Sequence, residues 1–185
     1  MKILIASDIH GSAKYCRLLL EAYSREGADR LLLLGDILYH GPRNDLPEEY
    51  SPKIVSAMLN ELKDEIYCVR GNCEAEVDQL MLQFPILADY ILIPFGDRMI
   101  FATHGHLYNK ENLPPMKTGD ILLHGHTHIP ACEKCDGFVY MNPGSVTMQK
   151  EDSQRGYILF DGADFLWKSL EGNEHMRSIR RFLMS

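Results

Sequence analysis

Seven side chains able to bind metal ions fall where short apolar runs end. They are Asp8 and His10 in Ser7-Asp8-Ile9-His10-Gly11, Asp36 in Leu34-Gly35-Asp36, and Asn72 in Arg70-Gly71-Asn72. His104 follows Ala102-Thr103, and His126 and His128 lie in Gly125-His126-Thr127-His128. An aspartate two residues before a histidine pairs a hard carboxylate with an imidazole, a set suited to Mn²⁺, Fe or Zn²⁺. Two histidines separated by one residue in an extended segment face the same side, so both rings can aim at one cavity. Gly125 removes a side chain where such groups crowd, and Asn72 offers a neutral oxygen where an anionic substrate must also approach. Each residue alone has an ordinary explanation: a turn cap, a left-handed loop position, a polar group at a sheet edge. Seven at the ends of predicted strands do not.

The elements that must position them are legible from apolar pattern and turn chemistry. Leu31 to Leu34 suits a strand buried on both faces, with Asp36 at the sheet rim, where open α/β sheets place functional groups. Lys2 to Ser7 is predicted as the first strand. Ser12 caps a predicted helix to Glu26 with Tyr15, Leu18, Leu19, Ala22 and Tyr23 on its buried face, and Gly27 ends it. The leucine strand completes a β-α-β unit with parallel pairing. After a Gly/Pro loop from His40 to Pro47, Ser51-Pro52 opens a second helix with Ser51 as its cap and a proline in its first turn, and Ile54, Val55, Met58, Leu59 and Leu62 form its apolar stripe. Glu65 to Val69 is a third strand and roughly Ala75 to Gln83 a third helix, stopped by Phe84-Pro85.

From there the chain becomes mostly β. Tyr90 to Phe95 and Arg98 to Thr103 flank Gly96-Asp97, a hairpin signal. Ile121 to His124 is a strand. Asp136-Gly137 separates Ala131–Cys135 from Phe138–Asn142, and Asp161-Gly162 separates Tyr157–Phe160 from Phe165–Leu170. The economical arrangement is two packed sheets with helices outside. The tail from Glu174 to Ser185 alternates Arg177, Arg180 and Arg181 with Met176, Ile179 and Phe182. A solvated helix turn or edge strand is the plain expectation for it, a subunit contact in a homo-oligomer the sharper one.

With 185 residues and 45% hydrophobic content, the chain fits one domain, 1–185, with a full core. A net charge of −7 disfavours a nucleic-acid backbone as partner. No apolar run approaches the roughly 18 residues of a membrane span, and the first strand lacks a cleavage-like site, so a cytoplasmic protein with no membrane partner is expected. Cys16, Cys68, Cys73, Cys132 and Cys135 do not suggest a disulfide framework. Cys132-Glu133-Lys134-Cys135 has C-x-x-C spacing but adjoins a turn, and no second such pair exists.

In order, Asp8-x-His10, Gly35-Asp36, Gly71-Asn72, His104 and Gly125-His126-x-His128 resemble the signature of the calcineurin-like metallophosphoesterase superfamily. The blocks around Ser7–Gly11, His40–Asn44, Arg70–Cys73 and Asn142–Ser145 resemble its bacterial phosphodiesterases in particular. That resemblance implies an α/β fold, a four-layer α/β/β/α sandwich of two mixed sheets flanked by helices, the metallo-dependent phosphatase fold. It also implies two divalent metal ions, Mn²⁺ first, with Fe or Zn²⁺ as alternatives. Carried over by position, one metal takes Asp8, His10, Asp36 and His128; the other takes Asp36, Asn72, His104 and His126, with Asp36 bridging. Two such ions about 3.5–4 Å apart share a hydroxide, lower its pKa and hold phosphoryl oxygens during in-line attack. A small phosphodiester is then the expected substrate.

One position departs from the family pattern. Many members have Gly-Asn-His-Asp/Glu, with the histidine placed to protonate the leaving oxygen; here Gly71-Asn72-Cys73-Glu74 puts a thiol there. With an ordinary pKa of about 8.5, a thiol is a poor acid for that task, so activated diesters are expected to react better than monoesters of simple alcohols. His106 is expected at the substrate or behind a ligand, and Arg43, with His40, in a loop where a cation can grip a phosphate oxygen. The competing functions are a non-catalytic, retromer-subunit-like scaffold on the same fold and a phosphomonoesterase or nuclease of the same superfamily.

Overall fold

In the computed structural model, residues 1–178 are described. The strands are β1 (Ile3–Ala6), β2 (Arg30–Leu33), β3 (Ile66–Cys68), β4 (Tyr90–Phe95), β5 (Arg98–Thr103), β6 (Ile121–Leu123), β7 (Pro130–Lys134), β8 (Val139–Pro143), β9 (Gly156–Phe160), β10 (Phe165–Ser169) and β11 (Glu174–Ser178). The helices are α1 (Ala13–Glu26), α2 (Pro52–Asn60) and α3 (Glu76–Met81). One sheet runs β11-β10-β9-β1-β2-β3 and the other β4-β5-β6-β8-β7. In the first, β1, β2 and β3 are parallel neighbours; in the second, β5, β6 and β8 are. Every strand that carries a predicted site residue at its end belongs to one of these two parallel sets.

Alternation explains why the leucine run is buried throughout. Leu31 and Leu33 join Leu4 and Ala6 in a core beneath α1 and α2, while Leu32 and Leu34 join Ile3 and Ile5 in the core between the sheets. Fully burying one leucine contributes about 1.5–3 kcal/mol, so the run anchors the centre of the molecule. Trp167 of β10 is fully buried in the inter-sheet core and donates from its indole N–H to Asn142 O at 2.7 Å, tying one sheet to the other.

The helices differ from expectation in detail. Ser12 caps α1, accepting from Tyr15 N, and Gly27 closes it with φ 57°. The deepest positions of α1 are Ala13, Cys16, Leu19, Ala22 and Tyr23, whereas Tyr15 and Leu18 are only partly buried. Ser51 precedes α2 but makes no side-chain cap; its backbone N–H donates to Gly11 O instead. Ile54 is exposed. The third helix is shorter than predicted and buries none of its side chains. On the outer face of the second sheet the fourth layer is irregular chain: Tyr108 packs on Phe101, and Lys110 lies over the ring of Tyr140. The loop between β5 and β6 thus covers this face without forming a helix. Glu174–Ser178 is the edge strand β11, while Arg180, Arg181 and Phe182 lie outside the described residues.

Candidate metal centre

Six strand ends converge at one rim. Asp8 and His10 follow β1, Asp36 follows β2, Asn72 follows β3, His104 follows β5, and His126 and His128 follow β6. The sixth, β8, leads into Ser145 and Thr147, whose hydroxyls donate to Asp8 O at 3.0 Å and Ile9 O at 2.8 Å. The loop carrying Asp8 and His10 is therefore pinned from the second sheet.

All seven predicted side chains come together, in two groups. In one, Asp8 Oδ1 lies 3.2 Å from His128 Nε2 and 3.5 Å from His10 Nε2, and the two Nε2 atoms are 3.4 Å apart. In the other, His104 Nε2 lies 3.0 Å from Asn72 Oδ1 and 3.1 Å from His126 Nδ1. Asp36 Oδ2 stands between them, 3.8 Å from His10 Nε2 and 3.5 Å from His104 Nε2. Bonds of about 2.1 Å to one ion separate neighbouring donors by about 3.0–3.4 Å, so these spacings suit shared cations.

Hydrogen bonding sets which atoms face inward. His10 Nδ1 meets Tyr39 O at 2.9 Å, His104 Nδ1 meets Leu34 O at 2.7 Å, and His128 Nδ1 meets Met148 O at 2.6 Å. A carbonyl only accepts, so each Nδ1 carries the proton and each Nε2 presents a lone pair inward. The facing lone pairs of His10 and His128 need a positive charge between them. The carboxylates follow the same rule. Asp8 Oδ2 accepts His126 N at 3.1 Å and Asp36 Oδ1 accepts Cys73 N at 2.8 Å, leaving Asp8 Oδ1 and Asp36 Oδ2 for the centre. Asp8 Oδ1 is buried with no hydrogen-bond donor. A buried anionic oxygen without a donor is costly unless a cation meets it. The donor set therefore fits divalent ions.

Electrostatics point the same way. Burial pushes Asp8 up, but the His10 and His128 rings that close around it and the positive potential of His104 outweigh it and hold Asp8 well below the usual carboxylate range. Burial pushes His104 down, yet Asp36 and Asp8 raise it to about 9. A cation bound here competes with that proton.

The backbone around the donors is unusual. Asp8, His10, Asp36, His126 and His128 have φ of 61°, 49°, 54°, 64° and 66°, left-handed values rare outside glycine. Each such residue costs on the order of 1 kcal/mol and persists because neighbouring loops over-determine it. Two glycines make room. A Cβ on Gly71 would collide with Asp36, and one on Gly125 would collide with Ser7 and lie 2.8 Å from Asp8 Oδ2.

Other predicted residues separate into those at the cavity and those off it. Arg43 and Cys73 line a cavity of about 280 Å³ with His10, Asp36, Asn72, His126 and His128. The thiol of Cys73 also lies among the donors of His10 and Asp36, within 4.8 Å. Burial, then the charge of Asp36, pushes the Cys73 thiol far up. His106 lies beside His104 with the rings tilted and their centres 5.4 Å apart, but does not line the cavity. His40 packs edge-on between Tyr39 and Tyr50. His124 is buried, with Nδ1 3.0 Å from Gly125 O. Cys132 and Cys135 are free and belong to no metal-competent cluster among the described residues.

Two contributors escape a sequence reading. Lys150 lines the cavity from the loop after β8. Glu74 is buried and accepts three backbone N–H groups, from Ile37 at 2.7 Å, Asp36 at 2.9 Å and Gly71 at 2.5 Å. Glu74 thereby holds the turns that carry Asp36 and Asn72. Its one sequence signal is its place directly after Gly71-Asn72-Cys73.

Comparison with known proteins agrees with this frame. The calcineurin-like phosphoesterase superfamily domain matches residues 1–164, and the chain belongs to that superfamily. It is 45% identical over 161 residues to phosphodiesterase YfcE of Escherichia coli strain K12, covering 87% of this chain and 88% of that one. The structure of Yfce, a phosphoesterase from E. coli, matches with a TM-score of 0.93 at 40% identity over 97% of this chain and 99% of that one. Vps29 of Entamoeba histolytica, complexed with Zn²⁺, matches with a TM-score of 0.62 at 19% identity, over 97% of this chain and 99% of that one. That last likeness concerns the fold alone. Family membership implies divalent metal ions.

Proposed function

We propose that this chain hydrolyses small phosphodiesters at a centre of two divalent ions. Asp8, His10, Asp36 and His128 would hold one, and Asp36, Asn72, His104 and His126 the other. Mn²⁺ is the first choice, with Fe or Zn²⁺ as alternatives for a mixed oxygen and imidazole set. When bound, such ions lower the pKa of water and polarise a phosphoryl oxygen. The observation that carries this reading is the division of donors, with Asp36 Oδ2 common to both groups.

The protein's own groups do the rest. The carbonyls of Tyr39, Leu34 and Met148 keep three imidazoles in one tautomer. Asn72 adds a donor without adding negative charge, which eases approach of an anionic phosphate. Arg43 at the cavity wall supplies a planar cation for a non-reacting phosphate oxygen. Cys73, where the family pattern described above has histidine, leaves the departing oxygen without an efficient acid, which favours diesters with good leaving groups. The relationship to phosphodiesterase YfcE favours an enzyme over a scaffold, since the Vps29 likeness is distant. Among the described residues no helix is long and apolar enough to cross a membrane. We assign the chain as one domain, 1–185, acting on a small molecule in the cytoplasm.

The test is hydrolysis of bis(p-nitrophenyl) phosphate by metal-depleted protein with Mn²⁺, Fe²⁺, Zn²⁺ or Mg²⁺ returned singly, beside elemental analysis. Two ions per chain and activity restored by Mn²⁺ are expected. Activity unaffected by chelation, or no tight divalent site, would overturn it.

A further inference from the structure

The metal cavity has a neighbour. Arg43 and Asn44 line both it and a second cavity of about 490 Å³, whose wall includes Tyr15, Leu46, Thr147, Met148 and Arg155. In a chain with 26 acidic and 19 basic residues, these adjoining cavities collect Arg43, Lys150 and Arg155. None of the three forms an ion pair with a carboxylate among the described residues. The acids of the second cavity are Glu48 and Asp45. Glu48 is engaged by Lys14 at 2.7 Å and the Tyr15 hydroxyl at 3.4 Å, and the charge of Arg155 reaches it without a close contact.

Arg155 is held for use. Its guanidinium lies 4.4 Å over the Tyr15 ring, and its Nε donates to Thr147 O at 2.8 Å. Those two contacts fix the plane and use one nitrogen, leaving the terminal nitrogens for an acceptor. Thr147 in turn donates to Ile9 O, between Asp8 and His10. The guanidinium is thus registered to the centre through one residue.

We propose that the second cavity receives the arm of the diester that is not expelled, and that this arm carries a second anionic group, a carboxylate or a phosphate, held by Arg43 and Arg155. The assignment rests on the phosphodiesterase reading above. It adds the class of substrate: a phosphodiester with a further negative charge a short chain away from the reacting phosphorus. Lys150, on the metal-cavity side, adds positive potential at the junction and strengthens the preference.

Three p-nitrophenyl diesters sharing one leaving group test this. Their other arm ends in a carboxylate, a hydroxyl or a trimethylammonium group. The metal-loaded protein should prefer the carboxylate arm over the hydroxyl arm by about tenfold in kcat/KM, mainly through KM, with the trimethylammonium arm poorest. In Arg155→Gln that ratio should fall toward one, as it should in Arg43→Gln. Lys53→Gln, altering an exposed cation of α2 outside both cavities, should keep it. Calorimetric titration with the matching non-hydrolysable phosphonates should give the same order of affinity. A merely structural Arg155 would lower all three substrates equally and leave the ratio intact, which would overturn the proposal, as would wild-type turnover without preference. No turnover with any of the three would instead overturn the phosphodiesterase reading itself.

Discussion

The carboxylate of Glu74 accepts the backbone N–H of Asp36 at 2.9 Å, so one buried acid sets the stance of another. The same oxygen accepts Gly71 N, and the second accepts Ile37 N. The loops after β2 and β3 are therefore clasped by a group that is not itself one of the seven donors. Burial, then the nearby charge of Asp36, raises the pKa of Glu74, while the backbone donors pull it back.

Glu74→Gln should loosen that clasp. The amide keeps one acceptor and turns an NH₂ toward groups that themselves donate. Leaving a buried donor unpaired costs about 1–3 kcal/mol, and loss of support behind metal ligands costs typically about 10–100-fold in metal affinity. Thermal unfolding should show the first and competition with a chelator the second. Unchanged metal affinity would show that Glu74 supports the fold alone.

Asp36 and the C-x-x-C cysteines make a contrast. Asp36→Asn or Asp36→Ala removes charge from both donor groups and should lower activity by more than about 100-fold, above the range for a supporting residue. Cys132→Ala alters a half-exposed thiol on β7, outside the centre, and should retain activity. Equal losses in two folded variants would contradict the assignment of Asp36 as the shared ligand.

Cys73 predicts a steep leaving-group dependence. Its thiol, pushed up by burial and by Asp36, stays protonated but yields its proton poorly. Diesters of p-nitrophenol should react well and monoesters of aliphatic alcohols barely. Cys73→His should recover part of the roughly 10²–10⁴-fold of general acid catalysis, with poor leaving groups only. Rates across a leaving-group series at constant metal loading decide this; a gain independent of leaving-group pKa would refute it.

Far from the centre, Glu26 at the end of α1 binds Lys168 Nζ at 2.5 Å and the Tyr157 hydroxyl at 2.7 Å. Burial pushes Glu26 up, but Lys168 and Tyr157 outweigh it, and its pKa falls below the ordinary 4.5. A depressed folded pKa means that the stabilisation is present above the unfolded value and is lost as pH falls through the folded one. Glu26→Gln in metal-depleted protein should therefore cost about 1 kcal/mol at pH 7, the upper range for a partly exposed pair. Urea unfolding should show the gap closing below about pH 4.5. A gap independent of pH would mean that packing, not charge, explains the loss.

The strands, the hairpins at Gly96-Asp97, Asp136-Gly137 and Asp161-Gly162, and the seven donor residues were legible in the chain itself. Apolar alternation and turn chemistry act over a few neighbours, so they are written locally. The structure departs from local pattern where a distant partner decides. Ser51 has the right side chain for a cap, but its backbone is taken by Gly11. Tyr15 has helical spacing for the core, yet it carries Arg155 at a cavity wall.

Sequence by itself determined which donor residues are offered here and at which strand ends they stand, because strand pattern and donor type are properties of adjacent residues. Tertiary structure alone decided how they meet. The left-handed backbone at Asp8, His10, Asp36, His126 and His128, the clasp of Glu74 and the cations at the cavity walls arise from contacts between segments far apart in the chain. Asp8 Oδ2 receives the N–H of His126 from 118 positions away. No local preference specifies such a contact; it exists because two parallel strand sets end at one rim, where closure of the loops outweighs the strain at each residue.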